Sequence, residues 1–152
     1  MIEVLVYLFE HYYQSEAYPD PDTLARRLTA AGFENEDISD ALHWLEGLAQ
    51  ADREPLPEHF DSGSSFRAFA PQELAKLSAE SRGFLVFLEA AQVLSPDARE
   101  VAIERAMALG DDVVEVDKMK IIVLMVLWTR QGNVDTLVLE ELLPEEGQRY
   151  VH

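Results

Sequence analysis

Apolar residues recur at helical spacing along most of the chain, and the breaks between them fall at proline, glycine and small polar residues. Over residues 2–13, a projection at about 100° per residue gathers Ile2, Leu5, Val6, Phe9, Tyr12 and Tyr13 into one stripe. Val4, Leu8 and His11, with Tyr7, fall on the other side, which leaves only Glu3, Glu10 and Gln14 as a polar strip. A helix apolar on two sides is either buried between layers or keeps a face for a partner, and burial against the C-terminal half is the expectation. Asp20-Pro21 then starts a second helix, with Leu24, Leu28 and Ala31 inward and Gly32 as its stop. Asn35 is placed to cap a third, in which Glu36 and Asp37 suit the positive end. Its buried stripe is Ile38, Ala41, Leu42, Leu45, Leu48 and Ala49, with Trp44 at the margin.

Periodicity stops from residue 50 to 64, where Pro55, Pro57, Gly63 and two serines read as a connector. Residues 65–70 alternate enough for a short strand, so three helices and a strand give a winged-helix-like order. The rest is helical. Pro71 opens a short helix to about Leu77, and another runs over 78–94 with Phe84, Leu85, Phe87, Leu88, Ala91 and Leu94 inward. Ser95-Pro96-Asp97 starts the next, Gly110 is its expected stop, and Ala98, Val101, Ala102, Ala106 and Leu109 keep its period. Residues 113–116 suit a brief strand. Residues 117–130 include the unbroken apolar run 121–128, and a helix apolar all round is a central one. After Gly132, residues 134–143 form a last amphipathic helix before a polar tail.

The expected fold class is mainly α, with one or two very short strands. Residues 1–50 form a three-helix winged-helix-like unit, 51–64 a flexible connector, 65–143 the strand and helical bundle, and 144–152 the tail. One compact structural domain holds them all.

Composition narrows the function. A chain of 152 residues is long enough to bury a core without a disulfide or metal. It has no cysteine, which excludes thiolate zinc sites, redox pairs and a cysteine nucleophile and fits a reducing cytoplasm. The start lacks the basic residues of a secretory signal, and an apolar run of eight is far short of the about 20 needed to span a membrane, so a cytoplasmic location is expected. The formal net charge is −17, and residues 1–50 hold ten acids against Arg26 and Arg27 alone. Such a balance disfavours nucleic acid and anionic membranes and suits a basic partner.

Residues 28–52 have the form of a helix-turn-helix, with Gly32-Phe33-Glu34 as the turn, yet contain no lysine or arginine. The outward side of the second helix carries Glu36, Asp40, His43 and Glu46, and a phosphate backbone would be repelled there. The shape is that of a binder, with the sign wrong for DNA. Exposed aromatics are common anchors at protein interfaces, and Tyr7 and Trp44 project at boundary positions where core burial competes with that role, more so for Trp44.

A resemblance covers nearly the whole chain in order. Val4-Leu5, Tyr7-Leu8-Phe9-Glu10, Gly32-Phe33, Asp37-Ile38, Ala41-Leu42, Trp44-Leu45-Glu46, Arg82-Gly83-Phe84-Leu85, Phe87-Leu88-Glu89, Ile103-Glu104-Arg105 and Lys120 with Leu124-Met125-Val126-Leu127 resemble the bacterial Smg family. Ala70 stands where that family usually has threonine before Pro71, and Ile121 where it often has tryptophan. The resemblance implies a small cytoplasmic protein and carries no catalytic residues. It also implies a gene neighbourhood shared with DNA-processing functions, which is an association and not a mechanism.

The remaining candidate chemistry is sparse. Glu36, Asp40 and His43 stand at i, i+4 and i+7, and Asp40-x-x-His43 echoes the carboxylate–histidine spacing of di-iron bundles. Those sites need a second such pair, which His11, His59 and His152 do not complete, so no metal or other cofactor is expected. Ser62-Gly63-Ser64-Ser65 lies in the connector, where nothing holds a nucleophile rigidly, and no phosphate-binding glycine loop is present. Glu89 interrupts an apolar face and is expected to pair with Arg82 or Arg105 in a partly buried bridge. The functional expectation is a non-enzymatic interaction module whose surface (Tyr7, His11, Glu36, Asp40, His43 and Trp44) docks a basic protein, with self-association also open. The alternative is direct nucleic-acid binding through Arg26, Arg27, Arg53 and Arg67.

Overall fold

A computed structural model of the protein describes residues 2–12, 20–53, 69–131 and Leu142. Among these the chain is mainly helical: α1 Ile2–Tyr12, α2 Pro21–Ala30, α3 Asn35–Arg53, α4 Pro71–Lys76, α5 Ala79–Ala90, α6 Pro96–Met107 and α7 Val116–Gln131. No sheet forms among the described residues. The brief strand expected at 113–116 is a single parallel bridge between Val114 and Leu77. The strand expected over 65–70 lies mostly outside the described residues, as do nearly all of the last helix and the tail.

α7 is the hub. Residues 121–127 are all buried, and the helix packs on α1, α3, α5 and α6. This is the physical outcome of an apolar run with no polar side: every face needs a neighbour. α1 is buried from two sides, at Val4 and Leu8 as well as at Leu5, Val6 and Phe9, because α7 and α3 both pack on it. Phe9 meets the edge of Trp128 at 5.3 Å between ring centroids. One buried cluster therefore runs from Val4 through α3 and α6 to Leu142.

The α2–α3 corner has the expected form with its boundaries shifted. Leu24 and Leu28 are buried, but Ala31 is exposed because it already belongs to the turn. Gly32 takes φ +104°, a left-handed conformation that side chains disfavour. The Glu34 carbonyl accepts the first helical bond from Ile38 N–H at 3.0 Å, so Glu34 holds the cap position and Asn35 is the first helical residue. α3 then continues to Arg53, past the expected start of the connector.

α5 ends at Ala90 rather than near Leu94, and Gln92 makes the reversal at φ +63°. Its buried line is Ser81, Leu85 and Leu88. Phe87 stands about 120° from the centre of that line by helical projection, and it is 63% exposed, not core as its spacing suggested. Ala91 is exposed because the helix has already stopped. Ser95 caps α6 by accepting from Ala98 N–H at 3.1 Å, and α6 stops at Met107, ahead of Gly110. Its buried residues Ala98, Val101, Ala102 and Ala106 let α3 and α7 approach closely.

Candidate functional site

α3 carries Glu36, Asp40, His43, Gly47 and Gln50 at i, i+4, i+7, i+11 and i+14, which is one helical face. Its inner face is held by Ile38, Ala41 and Leu48 in the core, so the acids necessarily point outward. Glu36, Asp40, His43, Glu46 and Gln50 are exposed and make no side-chain hydrogen bond or ion pair among the described residues. Along the second half of this face runs a cleft of about 650 Å³. Asp40, His43, Trp44, Glu46, Gly47 and Gln50 form one wall, and Arg105 with Ala108 to Asp111 forms the other. Asp111 is paired with Lys118.

Trp44 does not belong to the exposed surface. It is buried, and its Nε1 donates to the Arg105 carbonyl at 3.1 Å. Arg105 replies: its Nη1 donates to the Trp44 carbonyl at 2.9 Å, and its guanidinium carbon lies 5.7 Å from the Trp44 ring centroid. Nε and Nη2 donate to both carboxylate oxygens of Glu104, at 2.6 and 2.7 Å. A buried guanidinium needs such partners. The approach is possible only because residue 47 is glycine, since a Cβ there would fall 2.8 Å from Arg105 Cζ. Gly47 and Arg105 thus pin the second half of this face of α3 to α6. Sequence reasoning missed this pair, although a glycine inside a helix, about 1 kcal/mol worse than alanine, is itself a sign of close approach.

The other expected surface residues form a separate group. Tyr7 is half-buried, stacks on exposed His11 at 3.9 Å between centroids, and meets the edge of Phe33 at 5.4 Å. His11 Nδ1 also lies 2.9 Å from the Tyr7 carbonyl, within its own helix. Phe33 places this aromatic group at the turn before α3, while Asp40 and His43 lie at the cleft. Of the expected surface residues, Asp40, His43 and Trp44 line the cleft, whereas Tyr7, His11 and Glu36 do not. Glu36, Asp40 and His43 share a face, but no set of three or more His, Asp or Glu side chains there converges as a metal site.

The ion pair expected for Glu89 exists with a different arginine. Arg99 Nη1 meets Glu89 Oε2 at 2.6 Å, and Arg99 Nε meets Glu100 at 3.0 Å. Neither Arg82 nor Arg105 is the partner. The turn over residues 91–95 reverses the chain, so the end of α5 faces the start of α6 and brings Arg99 to Glu89. Arg105, six residues further and about 9 Å along the axis, reaches α3 instead, and Arg82 Nε donates to the Leu77 carbonyl at 3.3 Å. Of the four arginines considered for nucleic acid, Arg26 is exposed and Arg27 is tied to the Tyr12 hydroxyl at 2.9 Å. The hydrogen bond to that hydroxyl is the main cause that raises the already high pKa of Arg27. Arg67 and the Arg53 side chain lie outside the described residues.

Comparison with known proteins agrees with the residue-level resemblance. Residues 1–152 match the family described as "Protein of unknown function (DUF494)". The chain is 47% identical over 152 residues to "Protein Smg homolog" of Bordetella pertussis, covering the whole of both chains. The chain belongs to the Smg family. Smg homologues of Azoarcus sp. strain BH72, 47% identical over 155 residues, and of Leptothrix cholodnii, 46% identical over 154, likewise align over the full length of both chains. No solved structure matches significantly. No helix of the described residues is long and apolar enough to cross a membrane.

Proposed function

We propose that this Smg-family chain is a non-enzymatic interaction module of the bacterial cytoplasm that docks a basic protein on the outward face of α3. The observation that carries the reading is the set Glu36, Asp40 and Glu46 on α3, exposed and unpaired among the described residues, on a helix pinned to α6 by Gly47 and Arg105. Acids without local partners keep their charge for an incoming cation, and a rigid helix presents them without an ordering cost. His43 lies on the same helix face, and Tyr7 and His11 form a second, aromatic group beside Phe33. The partner's place in a nucleic-acid-processing pathway would let this face work near DNA without touching phosphate.

Affinity purification from the native cytoplasm tests the reading, comparing the wild type with a variant carrying Glu36→Lys, Asp40→Lys and Glu46→Lys. The wild type is expected to retain a basic protein at low salt and to release much of it at moderate salt, while the variant retains none. The same partners on both proteins would overturn it.

A further inference from the structure

We infer that the cleft between α3 and α6 takes the main chain of a basic polypeptide segment, with Arg105 bonding a backbone carbonyl while Asp40 and Glu46 pair with its lysine or arginine side chains. This inference rests on the docking reading above and names what the surface recognises. Arginine has five N–H donors. In Arg105 three of them are used, by Glu104 twice and by the Trp44 carbonyl once. The remaining two have no acceptor among the described residues, although the side chain is about nine-tenths buried and the residue lines the cleft. A buried donor left unmade is costly, so these N–H groups favour an acceptor brought by a ligand.

The chemistry around Arg105 selects the kind of acceptor. Glu104 already neutralises the guanidinium, so its charge is spent and only its hydrogen-bonding capacity is on offer. A phosphate or carboxylate entering the cleft would pass Asp40 and Glu46 with no free cation to compensate. A backbone carbonyl is neutral and a strong acceptor, and it arrives with side chains that can carry positive charge to the rim. The clamp keeps the wall rigid, because Gly47 holds the backbone of α3 against the guanidinium. A cleft of about 650 Å³ has room for a few residues of extended chain.

The full-length wild type at low salt tests this with two probes of equal charge. One is an acetylated, amidated peptide of four Gly-Arg repeats, and the other is spermine, which has no carbonyl. The peptide is expected to bind about tenfold more tightly than spermine and to shift the Arg105 Nη–H signal in an ¹⁵N NMR titration, whereas spermine leaves it in place. Equal affinity, or tighter peptide binding without a shift at Arg105, would overturn the inference while leaving charge-based docking intact. Failure of both probes to bind would remove the docking reading and this inference together. A single-stranded oligothymidylate that shifts the same signal would replace the peptide by nucleic acid.

Discussion

Ala70 gives α4 half of a cap. Its N–H donates to the Glu73 carboxylate at 2.9 Å, which is the backward arm of a capping box, but alanine has no oxygen to return to the Glu73 N–H. A threonine hydroxyl at this position would supply it. Ala70→Thr is expected to raise unfolding stability by about 0.5–2 kcal/mol, measured by urea denaturation, and no gain would mean that this end of α4 is already satisfied. Caps of this kind are legible because they depend on three or four consecutive residues, as Ser95 before α6 also shows. Projection misleads where a helix is shorter than its apolar pattern. The apolar pattern places Phe87 and Ala91 inward along a helix reaching Leu94, but α5 buries only the line of Ser81, Leu85 and Leu88 and stops at Ala90.

At the scale of elements, α3 and α6 are joined by a polar clamp in an otherwise apolar packing. Its two parts can be separated by a double-mutant cycle. Gly47→Ala improves helix propensity by about 0.8–1 kcal/mol, but the new methyl occupies the place of the guanidinium. Losing a charged hydrogen bond costs about 1.5–3 kcal/mol. The substitution is therefore expected to destabilise the wild type by about 1 kcal/mol or more, as read by urea unfolding. In an Arg105→Met background the guanidinium is gone, and the same substitution should stabilise by about 0.5–1 kcal/mol. The same sign in both backgrounds would show that Gly47 is not there for Arg105. That an arginine in apolar surroundings needs a partner was legible from chemistry. Which partner it finds depends on the hairpin between α5 and α6, and that assigned Arg99 to Glu89 and left Arg105 for α3.

The whole molecule carries a net charge of −17, with acids on α3 that no described cation answers. Such self-repulsion destabilises the compact state and is screened by salt. Raising NaCl from about 0.01 to 0.15 M shortens the screening length from about 30 to 8 Å. The melting temperature is expected to rise by about 2–4 °C, the equivalent of about 1 kcal/mol for a chain of this size. A fall, followed by calorimetry, would mean that attractive ion pairs outweigh the repulsion. Composition and pattern were enough to place the chain in the helical class, to put α7 at its centre and to separate the acidic and apolar faces of α3. Each follows from composition or from the 3.6-residue period, which are properties of one segment at a time. The packing of the helices settles that Trp44 is buried, that Glu89 meets Arg99, and that Gly47 and Arg105 come together at a cleft. Those depend on how helices cross, and Trp44 and Arg105, 61 residues apart, meet only where α3 and α6 pack together.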